Sequence, residues 1–306
     1  MDVLVVGPVV ADVGDYFDEY WASDLCVSVS EISPNAEPMD LSAFIVDERE
    51  RGAEHADLLE PLGLDRGDWR DWLESADTRW HLGTALYVHD DPVGAGMETK
   101  RLADYLDEVA APTEHELDLV SAYLIPSDTM LANVKSHTDK GVRVRIVTGT
   151  QESINHTAAY AHYRGDIGKI LDSGAELYEI DGQPPEDVRR AADTPPHAGS
   201  YVAIHLKGLI SDRRFSFIGS LNLDPRAMDI NTEGGLLIDS VGLAGELAGI
   251  VDILTDDDHA WRVTRGDDGS LVWTGRGTRR GGSPNRGNVQ RLAANLFEQL
   301  PIRSQL

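Results

Sequence analysis

A mixed α/β fold, with a largely parallel sheet flanked by helices, is predicted by three features of this 306-residue chain. From Ala85 onward, short apolar runs alternate with stretches of helical pattern about 10–15 residues long, the order that builds strand–helix–strand units. Clusters of Gly, Pro and Asp mark the connections between them. The length suffices to bury a substantial core.

Taken in order, residues 3–6 are expected to form a buried strand and Val13–Trp21 to begin a helix. Residues 33–79 are polar and helical or irregular, with Trp69, Trp72 and Trp80 as packing anchors. A new unit begins at Ala85–Val88 and closes in the turn Asp90-Asp91-Pro92. A helix over Glu98–Val109, a strand over Leu117–Ile125, a helix over Asp128–Thr138 and a strand over Val142–Thr148 follow. A helix over Ala158–Asp172 and a strand over Glu176–Ile180 complete the alternation. Gln183–Gly199 contains Pro184-Pro185 and Pro195-Pro196 and is a surface loop of the kind that shapes a substrate mouth. Beyond Ser240 come a helix over Ala244–Leu254 and a hairpin, Trp261–Arg265 and Ser270–Thr274, around the turn Gly266-Asp267-Asp268-Gly269. Residues 275–290 are rich in Gly and Arg and are expected to be mobile. Val289–Leu300 is a closing helix with Leu292, Leu296 and Leu300 on one face, a stripe expected to pack against the body.

The formal net charge is −26. The five lysines (Lys100, Lys135, Lys140, Lys169 and Lys207) are outnumbered by 22 arginines. A dense acidic surface poor in lysine suits a protein kept soluble in high salt, where the Debye length falls to about 3 Å and self-repulsion is screened. It also disfavours nucleic acid as a partner, because no basic stripe is present to displace counterions. The single cysteine, Cys26, rules out an internal disulfide and a Cys-based zinc cluster, and is expected to be a small buried apolar residue. No apolar run of about 18 residues is present to span a bilayer. The N-terminus lacks a basic signal-peptide region, and its apolar run Val3–Val10 is broken by Gly7-Pro8.

The chemistry concentrates between His205 and Glu233. His205 and Lys207, two residues apart after the apolar run Tyr201–Ile204, are expected on one face of a strand. Ser220 and Asn222 repeat that spacing one strand later and offer a hydroxyl and an amide to phosphoryl oxygens. A neutral imidazole is available as a nucleophile near pH 7, while Lys207, Ser220 and Asn222 supply the charge and donors that an anionic phosphorane needs. A carboxylate would orient the imidazole and stabilise its cation, and both Asp212 and Glu233 are placed to do so. The constellation is that of a phosphodiester site, needing no metal and no cofactor. Elsewhere, Asp256-Asp257-Asp258 is an acidic turn, and Gly94-Ala95-Gly96 lacks the continuation of a phosphate loop. His115-Glu116 lacks the second histidine of a zincin helix.

With His205, Lys207, Asp212, Gly219, Ser220 and Asn222, the chain resembles the phospholipase D superfamily, whose motif is HxKx4Dx6GSxN. Every fixed position is present, and Glu233 stands eleven residues after Asn222, where the family carries a further carboxylate. Pro225-Arg226, Asn231-Thr232-Glu233, Leu236-Leu237-Ile238, Gly141-Val142-Arg143-Val144 and Leu300-Pro301-Ile302 resemble its bacterial cardiolipin synthase-like branch. The resemblance implies a phospholipase D-like fold and a phosphohistidine intermediate on His205, resolved by water or an alcohol. It implies Glu233 as the partner of the histidine and Asp212 as a supporting residue. The catalytic residues are then His205, Lys207 and Glu233, with Ser220 and Asn222 binding phosphate.

Members of this family normally carry the motif twice, since a second histidine serves as general acid. Here it occurs once, and Met1–Trp21 resembles the stretch that follows a first motif. The expected organisation is a remnant of a first phospholipase D-like domain plus a helical connection in residues 1–79, and a second such domain in residues 80–306. Three functions follow: a phospholipase or phosphatidyltransferase acting on phospholipid, with the second histidine from an identical chain or a missing N-terminal half; a homodimeric nuclease-like phosphodiesterase; or an inactive half-site. The expected location is cytoplasmic, peripheral to the inner membrane face.

Overall fold

The computed structural model describes residues 3–33, 40–54, 80–91, 101–186, 188–189 and 199–306. They fall into two compact units, one of Met1–Phe17, His81–Pro185 and Tyr201–Leu306 and the other of Asp18–Trp80 and Glu186–Ser200. The second unit holds two short helices, α2 (Val29–Ile32), opened by a capping box between Ser28 and Glu31, and α3 (Leu41–Glu54). Helix α1 (Val9–Trp21) runs from the first unit into the second. Trp80, expected as a packing anchor, is half exposed, and Cys26, expected as a small buried residue, is exposed. Trp69, Trp72 and Gly94-Ala95-Gly96 lie outside the described residues.

The first unit is built on a ten-stranded mixed sheet. Its elements are β1 (Thr84–His89), α4 (Leu102–Ala110), β2 (Glu116–Ser121), α5 (Asp128–Asp139), β3 (Arg143–Gly149), α6 (Thr157–Asp172) and β4 (Glu176–Ile180). They continue with β5 (Lys207–Ser211), β6 (Phe215–Gly219), α7 (Pro225–Asp229), β7 (Gly234–Asp239), α8 (Val241–Leu254), β8 (Ala260–Arg265), β9 (Leu271–Gly275), β10 (Thr278–Arg280) and α9 (Asn288–Phe297). The strand order is β1-β7-β6-β5-β2-β3-β4-β8-β9-β10. Parallel pairing is confined to β2–β3 and β3–β4 at the centre, where helical crossovers connect the strands. All other neighbours are antiparallel: short turns join β5–β6, β8–β9 and β9–β10, while β1–β7, β2–β5 and β4–β8 pair strands distant in sequence, which alternation alone does not reveal.

Central strands are buried on both faces, which explains their β-branched runs. One face carries Leu117, Leu119, Val144, Ile146, Leu177 and Phe217 against α4, α5 and α6. The other carries Val120, Val147, Tyr178 and Ile210 beneath Ala244, Leu247, Ala248 and Val251 of α8. Within the sheet, Arg145 is 2% exposed and reaches Asp118 through Nε and Nη2 and Asp252 through Nη1. Helix starts are fixed by side-chain caps: Ser127 for α5, Asp224 with Pro225 for α7 and Ser240 for α8.

Three expectations are corrected here. Residues 3–6 form no strand, and Leu4 and Val6 are exposed; an apolar run without a partner strand has no ladder to join. Residues 283–286 are tied down: Glu152 N–H donates to Pro284 O, Gln151 N–H to Ser283 Oγ, and Arg286 to Ile154 O. Helix α9 packs on α6 through Ala294, fully buried, while Leu292 and Leu296 are exposed. Small residues allow two helices the closer approach, so the alanine face wins over the leucine stripe.

Candidate active site

Register brings five strand ends to one edge of the sheet. His89 at the end of β1 faces Gly234 at the start of β7, and Gly235 faces Gly219 at the end of β6. Ile218 faces Gly208 of β5, and Lys207, its first residue, faces Ser121 at the end of β2. Ends of adjacent strands are where an α/β sheet holds ligands. Gly219 is required there, since a Cβ would lie 2.5 Å from Gly234 O and from Phe217 Cζ.

The motif side chains thus stand at strand ends, not on strand faces. Residues 201–206 form no strand, and His205 projects from this segment, exposed, with its ring edge-on to Tyr123 at 6.2 Å between centroids. Lys207 is 7% exposed; its Nζ donates to His205 O at 3.2 Å and lies 5.9 Å from the Tyr123 ring centre. The two groups therefore meet around one aromatic ring. Burial, and then the charge of Lys207, hold the His205 imidazole below its ordinary pKa. Burial likewise lowers Lys207, against the opposing pull of Glu233 and Asp224.

Ser220 and Glu233 are joined directly. Ser220 Oγ donates to the Glu233 carboxylate and accepts from Gly234 N–H at 3.1 Å. Asn231 Nδ2 donates to the other carboxylate oxygen at 2.9 Å. Asn222 Oδ1 accepts weakly from Tyr123 N–H at 3.4 Å. Among the described residues no hydrogen bond joins Glu233 to the His205 ring. Asp212 lies at the opposite end of β5, about 16 Å from Lys207 at the strand rise. Its carboxylate accepts the N–H groups of Glu114, His115 and Glu116 at 2.8, 2.8 and 2.9 Å, so the structure separates it from the other motif residues. Burial would raise its pKa, and these three bonds outweigh burial and lower it.

Residues not singled out from sequence complete the edge. Tyr123 follows β2 and donates its hydroxyl to Asn155 Oδ1 at 2.6 Å. Asp90, 1% exposed, accepts from Glu233 N–H at 3.1 Å and from Leu102 N–H at 2.7 Å, and pairs with Arg101 at 3.3 Å. Asp90 therefore locks the start of β7, and with it Glu233, to β1 and α4. Its appearance as a turn acid after β1 was the only sequence signal for this role. Beside the motif loop, Leu221, Leu223, Leu209, Leu119 and Met228 line a largely apolar cavity of about 370 Å³, which Asp104, Asp107, Asp224 and Asp229 also line. Among the described residues no cluster of His, Cys, Asp and Glu is arranged to hold a metal ion, and no helix is long and apolar enough to cross a membrane.

Residues 106–254 match the family model described as "Cardiolipin synthase, PLD-like domain". Cardiolipin synthase C of Escherichia coli K12 is 30% identical over 294 residues, which are 90% of this chain and 58% of that protein. Cardiolipin synthase A of Citrobacter koseri is 24% identical over 165 residues, 54% of this chain and 30% of that protein. The chain thus spans little more than half of the longer of these matches. Among solved structures, phosphatidylserine synthase of Haemophilus influenzae shares the fold with a TM-score of 0.52 at 16% identity, covering 83% of this chain and 54% of that one. With the sheet, the motif at its edge and these matches in hand, the chain belongs to the phospholipase D superfamily, on its cardiolipin synthase-like branch.

Proposed function

We propose that this chain carries the nucleophilic half of a phospholipase D-type site acting on phospholipid. The observation that carries the reading is the convergence of His205, Lys207, Ser220 and Glu233 at one sheet edge, with the imidazole held neutral beside a buried ammonium. In the reaction, a His205 ring nitrogen attacks phosphorus and the P–O bond to the leaving alcohol breaks, giving a phosphohistidine. Lys207, Ser220 and Asn222 neutralise and donate to the phosphoryl oxygens. Glu233, held by Ser220 and Asn231, is assigned to the imidazolium that forms. Water then yields the phosphatidic product, or an alcohol acceptor a new diester. The departing alkoxide requires a proton, which we assign to the histidine of a second motif-bearing domain; an identical chain paired edge to edge is the form most readily tested.

Two features support a lipid over a nucleic acid. A net charge of −26 repels a polyanion, and the largely apolar cavity beside Leu221 and Leu223 falls within the ordinary range of ligand pockets, about 300–1,000 Å³. The test is release of headgroup from phosphatidylglycerol vesicles compared with cleavage of single- and double-stranded DNA. Turnover of the lipid alone, abolished in His205→Ala, is expected; cleavage of DNA at the same site would replace this reading with the nuclease one.

A further inference from the structure

The C-terminal part of the first unit reverses the charge of the rest. Between Ser270 and Phe297 lie five arginines, Arg276, Arg279, Arg280, Arg286 and Arg291, and no acidic residue. Arg276 is paired with Asp181, whereas Arg279, Arg280 and Arg291 make no ion pair among the described residues. These three line one open groove between β9–β10 and α9, together with Arg164, which is paired with Glu298, and with Asp267 and Asp268 of the β8–β9 turn. Alongside it runs the stripe that failed to pack inward: Val289, Leu292, Leu296 and Leu300 are 85, 71, 62 and 39% exposed. Their spacing of three and four residues places Val289, Leu292 and Leu296 on one side of α9, with Leu300 just beyond its end, while Ala294 holds the other side against α6. Apart from Arg164, the residues of the patch lie outside the span matched by the family model.

We propose that this face is a docking surface for an anionic phospholipid bilayer. An amphipathic helix with an exposed aliphatic stripe enters the headgroup–acyl boundary, and neighbouring arginines engage lipid phosphates through their planar forks. Both elements are needed to choose the occupant: a nucleic acid would use the arginines and leave the leucines in water. The acidic body repels an anionic surface as it repels any polyanion, so docking rests on this local reversal of charge, acting within the roughly 8 Å over which charges are felt at physiological ionic strength. Arg286 ties the patch to the catalytic edge, since its guanidinium lies 4.0 Å from the Tyr201 ring and donates to Ile154 O. Tyr201 opens the segment that carries His205, and Ile154 precedes Asn155, the partner of Tyr123. The surface goes beyond the catalytic reading and does not depend on turnover.

Vesicle flotation of the full chain at about 0.15 M salt tests it. Binding is expected to vesicles containing phosphatidylglycerol and at least tenfold weaker to phosphatidylcholine alone. Each arginine near such a surface is worth about fivefold, so Arg279→Gln with Arg280→Gln should weaken binding about 25-fold. Leu292→Gln with Leu296→Gln should abolish it, with circular dichroism and thermal midpoint showing that the variants fold. His205→Ala should bind like the parent chain, which separates failure of docking from failure of catalysis. Equal binding to neutral vesicles, or parent-like binding by either double variant, would overturn the proposal. So would a concentration-dependent dimer lost in the leucine variant without vesicle binding, which would assign the stripe to a second copy.

Discussion

Glu179 is a buried acid that forms no ion pair among the described residues. It lies in β4, fully buried, with one carboxylate oxygen accepting from Tyr163 Oη at 2.9 Å and the other from Ser283 Oγ. Burial dominates these bonds and pushes its pKa from 4.5 up to about 7. The folded chain therefore keeps a proton that the unfolded chain releases at lower pH. Stability contributed by the neutral form is full below the unfolded pKa and is lost as pH rises through the folded one. A shift from 4.5 to about 7, at about 1.4 kcal/mol for each pH unit, corresponds to a loss of about 3 kcal/mol. Glu179→Gln keeps the shape and an acceptor for Tyr163 but cannot ionise. Urea unfolding of both proteins across pH 4.5–8 isolates the group. The variant should match the parent near pH 4.5 and exceed it progressively, by about 3 kcal/mol above pH 7. Parallel profiles at all pH values would refute the assignment.

Asp212→Ala should cost about 2 kcal/mol, from three N–H groups deprived of their acceptor and a left-handed φ of +49° that alanine tolerates poorly, whereas Asp212→Asn should cost about half as much. Since the folded carboxylate has a lowered pKa, this contribution is present above the unfolded value of about 3.9 and vanishes as pH falls through the folded one; urea titrations at pH 3 and 7 check it. Lys207→Gln removes a positive charge from the imidazole, so the pKa of His205 should rise, followed by the ring C–H resonances in a pH titration; a fall would contradict the geometry. Arg145→Met leaves Asp118 charged and buried and should cost about 3–5 kcal/mol, read from chemical unfolding.

The central elements were legible because their residues report local physics. Strands β2, β3 and β4 and the helices between them follow from β-branched runs, helical periodicity and caps such as Ser127, and appear within a few residues of expectation. What remained hidden depends on distant partners. Nothing local in Val3–Val6 says that no strand lies beside it, and nothing in β5 to β7 says that they pair antiparallel and carry the sheet out to β1. At the site, the spacing from His205 to Glu233 carries the proposed chemistry, and Asp212, whose supporting role belongs to that proposal, stands about 16 Å down the strand with its carboxylate on three backbone N–H groups. Tyr123, Asp90 and Arg101 were silent because each acquires its role only when the register of β1, β2 and β7 brings it to the shared edge.

In the proposed reaction His205 becomes covalently phosphorylated by a phosphodiester. A p-nitrophenyl phosphodiester is the discriminating substrate, because nitrophenolate leaves without a proton and so relieves the need for a second histidine. Rapid base quenching followed by mass spectrometry of the peptide containing His205 should reveal an acid-labile, base-stable adduct on that histidine. It should be absent in His205→Ala and retained in Asp212→Asn. A nitrophenolate burst with no adduct, or an adduct that persists in His205→Ala, would contradict the claim.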